Sequence, residues 1–164
     1  SADSFISRGG PVANWYAGAV IYRPKESRVE YLVIDTRSLH PGFRGRSKKQ
    51  TKFVGGTEEG HLSEDVNVLG TLRRELTEET DLCLPEGYHP RLILTVPLPE
   101  HFKNFYLIPF GDLVGDLRTV EKVIDNDWMS APYWMSYEEL TRWLYKSHHG
   151  ALVEANDRFE STAV

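Results

Sequence analysis

The segment from Glu58 to Asp81 concentrates acidic residues on what its apolar spacing predicts to be a helix. It contains eight acidic residues and two basic ones. The predicted helix begins with Ser63 as N-cap and ends near Thr80. Its apolar residues recur at helical spacing, at Val68, Leu69, Leu72 and Leu76. At about 100° per residue, glutamates 75, 78 and 79 share the arc beside this stripe, so their carboxylates are expected to flank the buried seam.

Three clustered glutamates call for a positive partner. Like charges four residues apart, as at Glu75 and Glu79, destabilise a helix by roughly 0.2–0.5 kcal/mol, and by more beside apolar walls. Arg74 precedes Glu78 by four residues, but one guanidinium cannot neutralise three carboxylates. Hard divalent cations prefer carboxylate and carbonyl oxygens, so the pattern favours a Mg²⁺ or Mn²⁺ site. The alternative is a solvated acidic helix face with no special role.

Two runs around this helix resemble the Nudix box, usually written G-x5-E-x7-R-E-U-x-E-E-x-G-U with U aliphatic. The first run is Gly55–Glu59, and the second is Arg74–Leu82, in which six of the seven defined positions agree. Asp81 replaces the final glycine of the box, so we expect the helix to end without the usual left-handed residue, although Asp tolerates that conformation better than most residues.

The spacer between Gly56 and Arg74 is four residues longer than in the family pattern. This length leaves the isolated glutamate of the box without an assigned counterpart. Glu59 matches the common family form Gly-Gly-x-x-Glu and is the better candidate for a ligand or for bracing the loop. Glu64 is interpreted as serving the helix start.

The resemblance covers roughly residues 14 to 146 and implies an α+β fold, a Nudix-like α/β/α sandwich around a mixed β-sheet. Element order alone gives only the layered class. Strands are predicted at 15–22, 29–35, 52–54, 91–98 and 105–114, the first two as a hairpin. A capping box at Ser136 opens a second helix, whose apolar stripe is Leu140, Trp143 and Leu144. Residues 1–164 are interpreted as one domain, with 1–12 a flexible N-terminal segment.

The resemblance also implies divalent-metal-dependent hydrolysis of a diphosphate linkage in a nucleoside diphosphate joined to another moiety, such as a nucleotide sugar, a nucleoside triphosphate or a dinucleotide-type substrate. It makes Glu78 and Glu79 the chief metal ligands, Glu75 a ligand or base, and Arg74 the residue that orients a carboxylate. Glu59 and Gly56 are the further candidates for the metal site. The general base stays open among Glu100, His101, Glu121, Asp125 and Asp127. His101 is a candidate catalytic residue because its reference pKa lies near neutrality.

A cationic stretch precedes the acidic helix. Residues 41–52 contain five basic residues and no acid: Arg44, Arg46, Lys48, Lys49 and Lys52. Beside a metal–carboxylate site, such a loop suits recognition of phosphate oxygens, and we expect Arg44, Arg46, Lys48 and Lys52 to bind substrate. The alternative is a flexible, solubilising loop.

Composition limits the partners and the compartment. The net charge of −5 argues against a general nucleic-acid binder, and no apolar run approaches the roughly 20 residues of a membrane span. The expected partner is therefore a small-molecule nucleotide, and a homodimer stays open because family members are often dimers. The single cysteine, Cys83, lies in an apolar run and is expected to be a small buried hydrophobe. Lack of an internal disulfide favours a reducing, cytoplasmic location.

Other functions stay open at this point. The main alternative is a non-catalytic Nudix-fold module that binds a nucleotide metabolite or RNA, which the long spacer and Asp81 keep in view. Isopentenyl-diphosphate isomerisation uses a related fold, but it usually needs a reactive cysteine, and Cys83 lies beyond the box helix. Removal of an RNA cap is disfavoured by the net charge.

Overall fold

A mixed sheet of eight strands forms the centre of the protein in the computed structural model, which describes residues 14–40 and 48–162. The strands are β1 (Trp15–Lys25), β2 (Arg28–Ser38), β3 (Gln50–Thr57), β4 (Arg91–Pro97), β5 (Phe102–Pro109), β6 (Lys122–Ile124), β7 (Asp127–Met129) and β8 (Tyr133–Ser136). Their order is β4-β5-β1-β3-β2-β7-β6, with β8 also pairing with β2. Strands β1 and β5 pair in parallel, and the ladders among the other described strands are antiparallel.

The predicted first hairpin is confirmed. Its ladder runs from the pair Tyr22–Tyr31 to the pair Lys25–Arg28, so the connection is the two-residue turn Glu26-Ser27. Glu26 has a left-handed φ of 56°. A turn this tight needs positive φ to match the twist of the two strands.

Helices cover both faces of the sheet. Helix α1 (Val68–Thr80) packs Leu72 and Leu76 onto Ala17, Ala19 and their neighbours on one face. Helices α2 (Tyr137–Trp143) and α3 (His149–Thr162) pack on the opposite face, in a core that includes Tyr31, Phe53, Leu140 and Leu152. Alternate residues of a strand point to opposite faces, so one strand supplies both cores. The predicted α/β/α sandwich around a mixed sheet is confirmed.

The start of helix α1 differs from the prediction. Ser63 does not cap it, because Ser63–Val66 forms a separate 3-10 turn and Asn67 then adopts an extended backbone. The Asn67 side chain accepts the Gly70 N–H at 2.8 Å and is the true N-cap. A Cβ on Gly70 would overlap the Glu64 carbonyl oxygen, so the glycine lets the turn pack against the helix. This turn lies within the lengthened spacer between Gly56 and Arg74.

Several element boundaries were predicted wrongly. Strand β5 begins at Phe102 and ends at Pro109, followed by a 3-10 turn at Phe110–Asp112, instead of covering 105–114. Ser136 does form the predicted capping box, but Trp143 of α2 is 65% exposed, whereas Leu140 is buried. Helix α3 and the short strands β6 and β7 were not predicted.

Cys83 is exposed, contrary to the expectation that it is buried. It pairs with Val114 in an isolated antiparallel bridge, while Leu82 and Leu84 on either side are buried. The segment is extended, so its side chains alternate and the middle residue of the apolar run points outward.

The predicted flexible segment 1–12 lies outside the described residues. None of the helices in the described ranges is both long enough and apolar enough to cross a membrane.

Candidate active site

The end of strand β3 comes unusually close to helix α1. A Cβ on Gly56 would lie 2.7 Å from Glu75 Oε2, so a larger residue at this point would displace the Glu75 carboxylate. Gly55 has a φ of 154°, and a Cβ there would lie 2.7 Å from the Gly18 Cα. The Gly55 N–H donates to Glu79 Oε1 at 2.7 Å. Two consecutive glycines thus bring the end of the strand into contact with the carboxylates of Glu75 and Glu79.

The three glutamates of the acidic arc line one cleft of about 400 Å³. Glu79 is 4% exposed, Glu75 is mostly buried, and Glu78 is the most open of the three. The cleft is also lined by Gly55, Gly56, Glu59 and Lys52, and by Tyr16, Thr57, Ile124, Asp125, Asp127 and Met129. The structure therefore brings together every residue that the sequence suggested for the metal site.

Burial makes these carboxylates hard to ionise. Burial is the largest cause and, with the charges of Glu79 and Glu78, which Arg74 and Lys52 only partly offset, raises the pKa of Glu75 to about 8. Burial also raises the pKa of Glu79, against the opposing effects of Lys52 and the Gly55 N–H. When these carboxylates are ionised, their negative charge exceeds what the neighbouring Arg74 and Lys52 offset.

This donor set fits a hard divalent cation, which would supply the missing positive charge through oxygen ligands. Within residues 14–40 and 48–162, no group of three or more His, Cys, Asp or Glu side chains is already arranged around a single metal position. Arg74 Nη1 instead lies 3.0 Å from Glu75 Oε1 and 3.2 Å from each carboxylate oxygen of Glu78.

Arg74 is held by Asp65, a residue that the sequence did not single out. Arg74 Nε and Nη2 donate to the two Asp65 carboxylate oxygens at 2.9 and 2.8 Å, a bidentate contact. The Asp65 side chain is fully buried, and it also accepts the Glu59 N–H at 2.6 Å. Burial alone would raise the pKa of Asp65, but the hydrogen bonds from Arg74 and Glu59 outweigh it and lower the pKa. Asp65 therefore fixes both the arginine and the loop after Gly56.

Glu59 takes a different place from Asp65. Its carboxylate lies at the rim of the cleft, 42% exposed, with Oε2 3.2 Å from Arg74 Nη1. Glu64 is exposed and accepts a hydrogen bond from the Ser63 hydroxyl.

Asp65 could be seen in the sequence as an acid nine residues before Arg74. Only the 3-10 turn shows why an acid at that spacing reaches the guanidinium.

Two of the predicted phosphate-binding residues, Lys48 and Lys52, lie in the described part of the chain, and of these Lys52 lines the cleft. It lies on β3, on the same face as Gly56 and helix α1, because residues two apart on a strand share a face. Lys48 is exposed just before β3, and Lys49 lies 3.6 Å from Asp35. Arg44 and Arg46 lie outside the described residues.

Solved structures with this arrangement of elements include Nudix proteins. The Nudix domain of NrtR from Shewanella oneidensis, solved with ADP ribose, covers 97% of this chain and 99% of its own, with a TM-score of 0.64 at 15% identity. A MutT Nudix hydrolase from Burkholderia pseudomallei matches with a TM-score of 0.59 at 18% identity, covering 86% of this chain and 96% of its own. The C. elegans Ap4A hydrolase gives 0.55 at 15% identity, covering 90% of this chain and 98% of its own.

The chain has the Nudix fold. No protein-family model and no curated protein matches its sequence. The resemblance noted in the sequence is thus confirmed at the level of the fold. Sequence identity to these structures is below one in five residues, and it is their structural similarity that establishes the fold.

The departure of the Nudix box at Asp81 is accommodated locally. Asp81 caps helix α1 in the left-handed conformation, with φ 68° and ψ 5°, so the helix ends in the usual geometry without glycine, and the contrary expectation was wrong. Arg118, which the sequence analysis missed, is buried beside it and donates to the Glu79 carbonyl oxygen through Nη2 at 2.6 Å. Its own N–H donates to the Thr80 carbonyl at 2.8 Å, so the last turn of the box helix is held from outside.

The candidate bases separate by position. Asp125 and Asp127, on the β6–β7 hairpin, line the cleft, whereas Glu100, His101 and Glu121 are not among the described residues that line it. His101 lies in the β4–β5 turn, where its carbonyl accepts the Leu98 N–H. The hairpin is turned by Asp125 and Asn126, both with positive φ, which presents Asp125 at the tip.

Replacing Asp65 with Asn is expected to lower the free energy of unfolding by about 2 kcal/mol, because the buried guanidinium of Arg74 then has one amide oxygen as acceptor in place of a charged, bidentate carboxylate. Urea denaturation of the metal-free protein measures this loss. Glu64→Gln, one residue away but exposed, is the matched control and should change stability by less than about 0.5 kcal/mol. Equal effects of the two substitutions would contradict the role given to Asp65.

Stability of the metal-free protein is expected to fall as pH rises from about 5 to 8. The folded state keeps a proton on Glu75 up to about pH 8, whereas the unfolded chain releases it near its ordinary pKa of 4.5, so the unfolded state binds fewer protons in this window. Melting temperatures across this range should show a decline that Glu75→Gln reduces. Saturating Mg²⁺ should stabilise most at the alkaline end, since ligation needs ionised carboxylates. A Mg²⁺ effect largest at pH 5 would refute this account.

Proposed function

We propose that this protein is a divalent-metal-dependent hydrolase of the Nudix type, which cleaves a diphosphate linkage in a nucleoside diphosphate joined to another moiety. The observation that carries the proposal is the burial of Glu75 and Glu79, with Glu78 beside them, against the Gly55–Gly56 backbone in one cleft that also contains Lys52. A diphosphate is anionic, and this cleft combines ligands for cations with a positive side chain beside them.

Glu75, Glu78 and Glu79 would hold Mg²⁺ or Mn²⁺, with Glu59 and Gly56 at the rim as further oxygen donors. A cation held there would supply positive charge against the diphosphate and against the charge that develops in the transition state. Arg74 positions the carboxylates, since it contacts both Glu75 and Glu78 while Asp65 holds it in place.

Lys52 is proposed to contact a phosphoryl oxygen of the substrate. It is the cation of β3 that lines the cleft, and its charge acts on both Glu75 and Glu79. A lysine is a compact charge with three donors, which suits an anionic oxygen without requiring a fixed bidentate geometry. Arg44, Arg46 and Lys48 are proposed to extend this positive surface along the preceding loop.

The general base is proposed to be Asp125 or Asp127 instead of His101. These two carboxylates face the cleft from the β6–β7 hairpin, across from helix α1. A base must lie within hydrogen-bond reach of the water whose proton it accepts, so position in the cleft comes before reference pKa as a criterion.

A non-catalytic module that binds a nucleotide is the competing function. Its support in the sequence was the long spacer and Asp81, and both features are accommodated by the fold, through Asp65 and through the left-handed cap. The departures from the box therefore give no reason to expect a damaged cleft.

Incubation with ADP-ribose, a nucleotide sugar, dGTP and Ap4A should give Mg²⁺-dependent release of phosphate or nucleoside monophosphate from at least one of them. Glu78→Gln is expected to lower kcat by about a hundredfold or more, with the fold intact by circular dichroism. Glu86→Gln, an exposed glutamate after helix α1, is the matched control and should retain full turnover. Binding without turnover for every compound would favour the binding module, and neither binding nor turnover would reject the proposed substrate class.

Asp125→Asn and Asp127→Asn test the base. The substitution that removes the base should lower kcat by about 10²–10⁴-fold and abolish the acidic limb of the pH–rate profile, while leaving KM close to that of the wild type. His101→Ala and Glu121→Gln are expected to have little effect. If His101→Ala alone abolished the acidic limb, the assignment to the hairpin would be wrong.

A further inference from the structure

A buried histidine lies directly behind the cleft, on the opposite face of the sheet. His148 is 2% exposed and ends the 3-10 turn Lys146–His148 between helices α2 and α3. The pairing of strand β1 with β3 ends at the pair Ala19–Val54. The segment before His148 then pairs with the start of β3, where the Tyr145 N–H donates to the Thr51 carbonyl at 2.6 Å. The chain is thereby fixed where it delivers the imidazole into the core.

Four aromatic rings enclose the imidazole. Its centroid lies between 5.1 and 5.9 Å from those of Phe105, Tyr145, Tyr16 and Phe53, with the Phe53 ring stacked at 13°. Burial, together with the charges of Lys52, Lys103 and His149, lowers the pKa of His148 to about 3. The ring is therefore neutral in ordinary buffers.

The hydrogen bonds also determine which ring nitrogen carries the proton. The Phe53 backbone N–H donates to His148 Nδ1 at 3.2 Å. An amide N–H can only donate, so Nδ1 is unprotonated and the proton of the neutral ring is on Nε2. Nε2 lies 3.3 Å from the Tyr16 hydroxyl oxygen, and it is the donor in that contact.

This arrangement leaves the hydroxyl proton of Tyr16 free to donate elsewhere. A phenol oxygen that accepts from Nε2–H still carries its own O–H. Burial, followed by the charges of Glu79 and Glu75, raises the pKa of Tyr16 well above its ordinary value, so the proton stays on the oxygen. Tyr16 lines the same cleft as these glutamates, and a Cβ on Gly55 would lie 2.8 Å from its hydroxyl oxygen. Because Gly55 has no side chain, the Tyr16 hydroxyl can reach the cleft beside the glycine turn.

We propose that Tyr16 is a substrate-binding residue, whose hydroxyl donates to an anionic phosphoryl oxygen of the bound diphosphate, and that His148 is the positioning residue that directs this donor. The inference rests on the proposed function for the identity of the ligand. Tyr16 and Lys52 line the cleft that is proposed to take the diphosphate, so the acceptor that a ligand brings to this donor is a phosphoryl oxygen. A neutral donor beside Lys52 binds that oxygen without adding charge to the crowded acidic cleft.

Tyr16→Phe tests the donor, because it removes the hydroxyl and keeps the ring packing. Calorimetry with methylenediphosphonate, a diphosphate analogue that cannot be hydrolysed, in saturating Mg²⁺ should show about tenfold weaker binding than the wild type. Mg²⁺ affinity measured alone should be unchanged. Tyr31→Phe is the matched control, since the Tyr31 hydroxyl is also partly buried but donates to Asn156 away from the cleft. This control should bind the analogue as the wild type does.

Two substitutions of His148 test the positioning role. Gln places an amide nitrogen near the position of Nε2 and can still donate to Tyr16, whereas the shorter Asn retains an acceptor near Nδ1 but does not reach Tyr16. His148→Gln should keep most of the affinity for the analogue, and His148→Asn should match Tyr16→Phe. In the wild type, long-range ¹H–¹⁵N correlation spectra should show a protonated Nε2 and an unprotonated Nδ1, which does not depend on either variant folding.

The outcomes distinguish this proposal from the proposed function. If the wild-type protein binds the analogue but hydrolyses no nucleotide, the proposed hydrolase activity is rejected. The affinity of Tyr16→Phe for the analogue still tests whether the Tyr16 hydroxyl is a donor. Unchanged binding by Tyr16→Phe, an equal loss in Tyr31→Phe, or a wild type that does not bind the analogue would each overturn the role of Tyr16. Weaker Mg²⁺ binding by Tyr16→Phe without weaker analogue binding would assign the hydroxyl to Glu79 and would also overturn it. A protonated Nδ1 would overturn the role of His148.

Discussion

The close contact between the Gly55–Gly56 backbone and the carboxylates of helix α1 is the constraint on which the rest of the site depends. Glycine at both positions allows Glu75 to lie against the strand and Glu79 to accept a backbone N–H, and this same contact buries the two acids. Burial raises their pKa values, so the fold stores an electrostatic cost at the cleft. A bound cation relieves that cost, and binding would then stabilise the native state by mass action.

Asp65 and Arg74 show how a Nudix fold tolerates a changed box. The spacer is four residues longer than in the family pattern, and the 3-10 turn within it packs on Gly70 and returns an acid to the guanidinium. The geometry around the arginine is thereby kept although the spacing along the chain is not. Asp81 does the same at the other end of the helix, where the left-handed cap is kept without glycine. A motif defined by spacing is stricter than the physical requirements it represents.

The two faces of the sheet contribute differently to the cleft. The face under helix α1 carries the charged groups, and the opposite face carries the aromatic enclosure of His148, whose contact with Tyr16 reaches the cleft past the glycine turn. The cores on the two faces of the sheet are therefore in contact through Tyr16 and His148, at the point where Gly55 and Gly56 have no side chains. Rigid packing around His148 gives Tyr16 a defined hydroxyl orientation, which a solvent-exposed tyrosine would not have.

The sequence by itself determined the hairpin, the acidic amphipathic helix, the glycine turn before it and the capping box at Ser136, since each depends on local spacing and backbone preference. It also indicated the three glutamates, because their shared arc follows from helical geometry. Tertiary structure alone decided that Asp65 pairs with Arg74, that Asp125 and Asp127 reach the cleft and His101 does not, that Cys83 points outward, and that Arg118 and His148 support the site. These contacts join residues far apart in the chain or across a turn of irregular geometry, and periodicity carries no information about such distances.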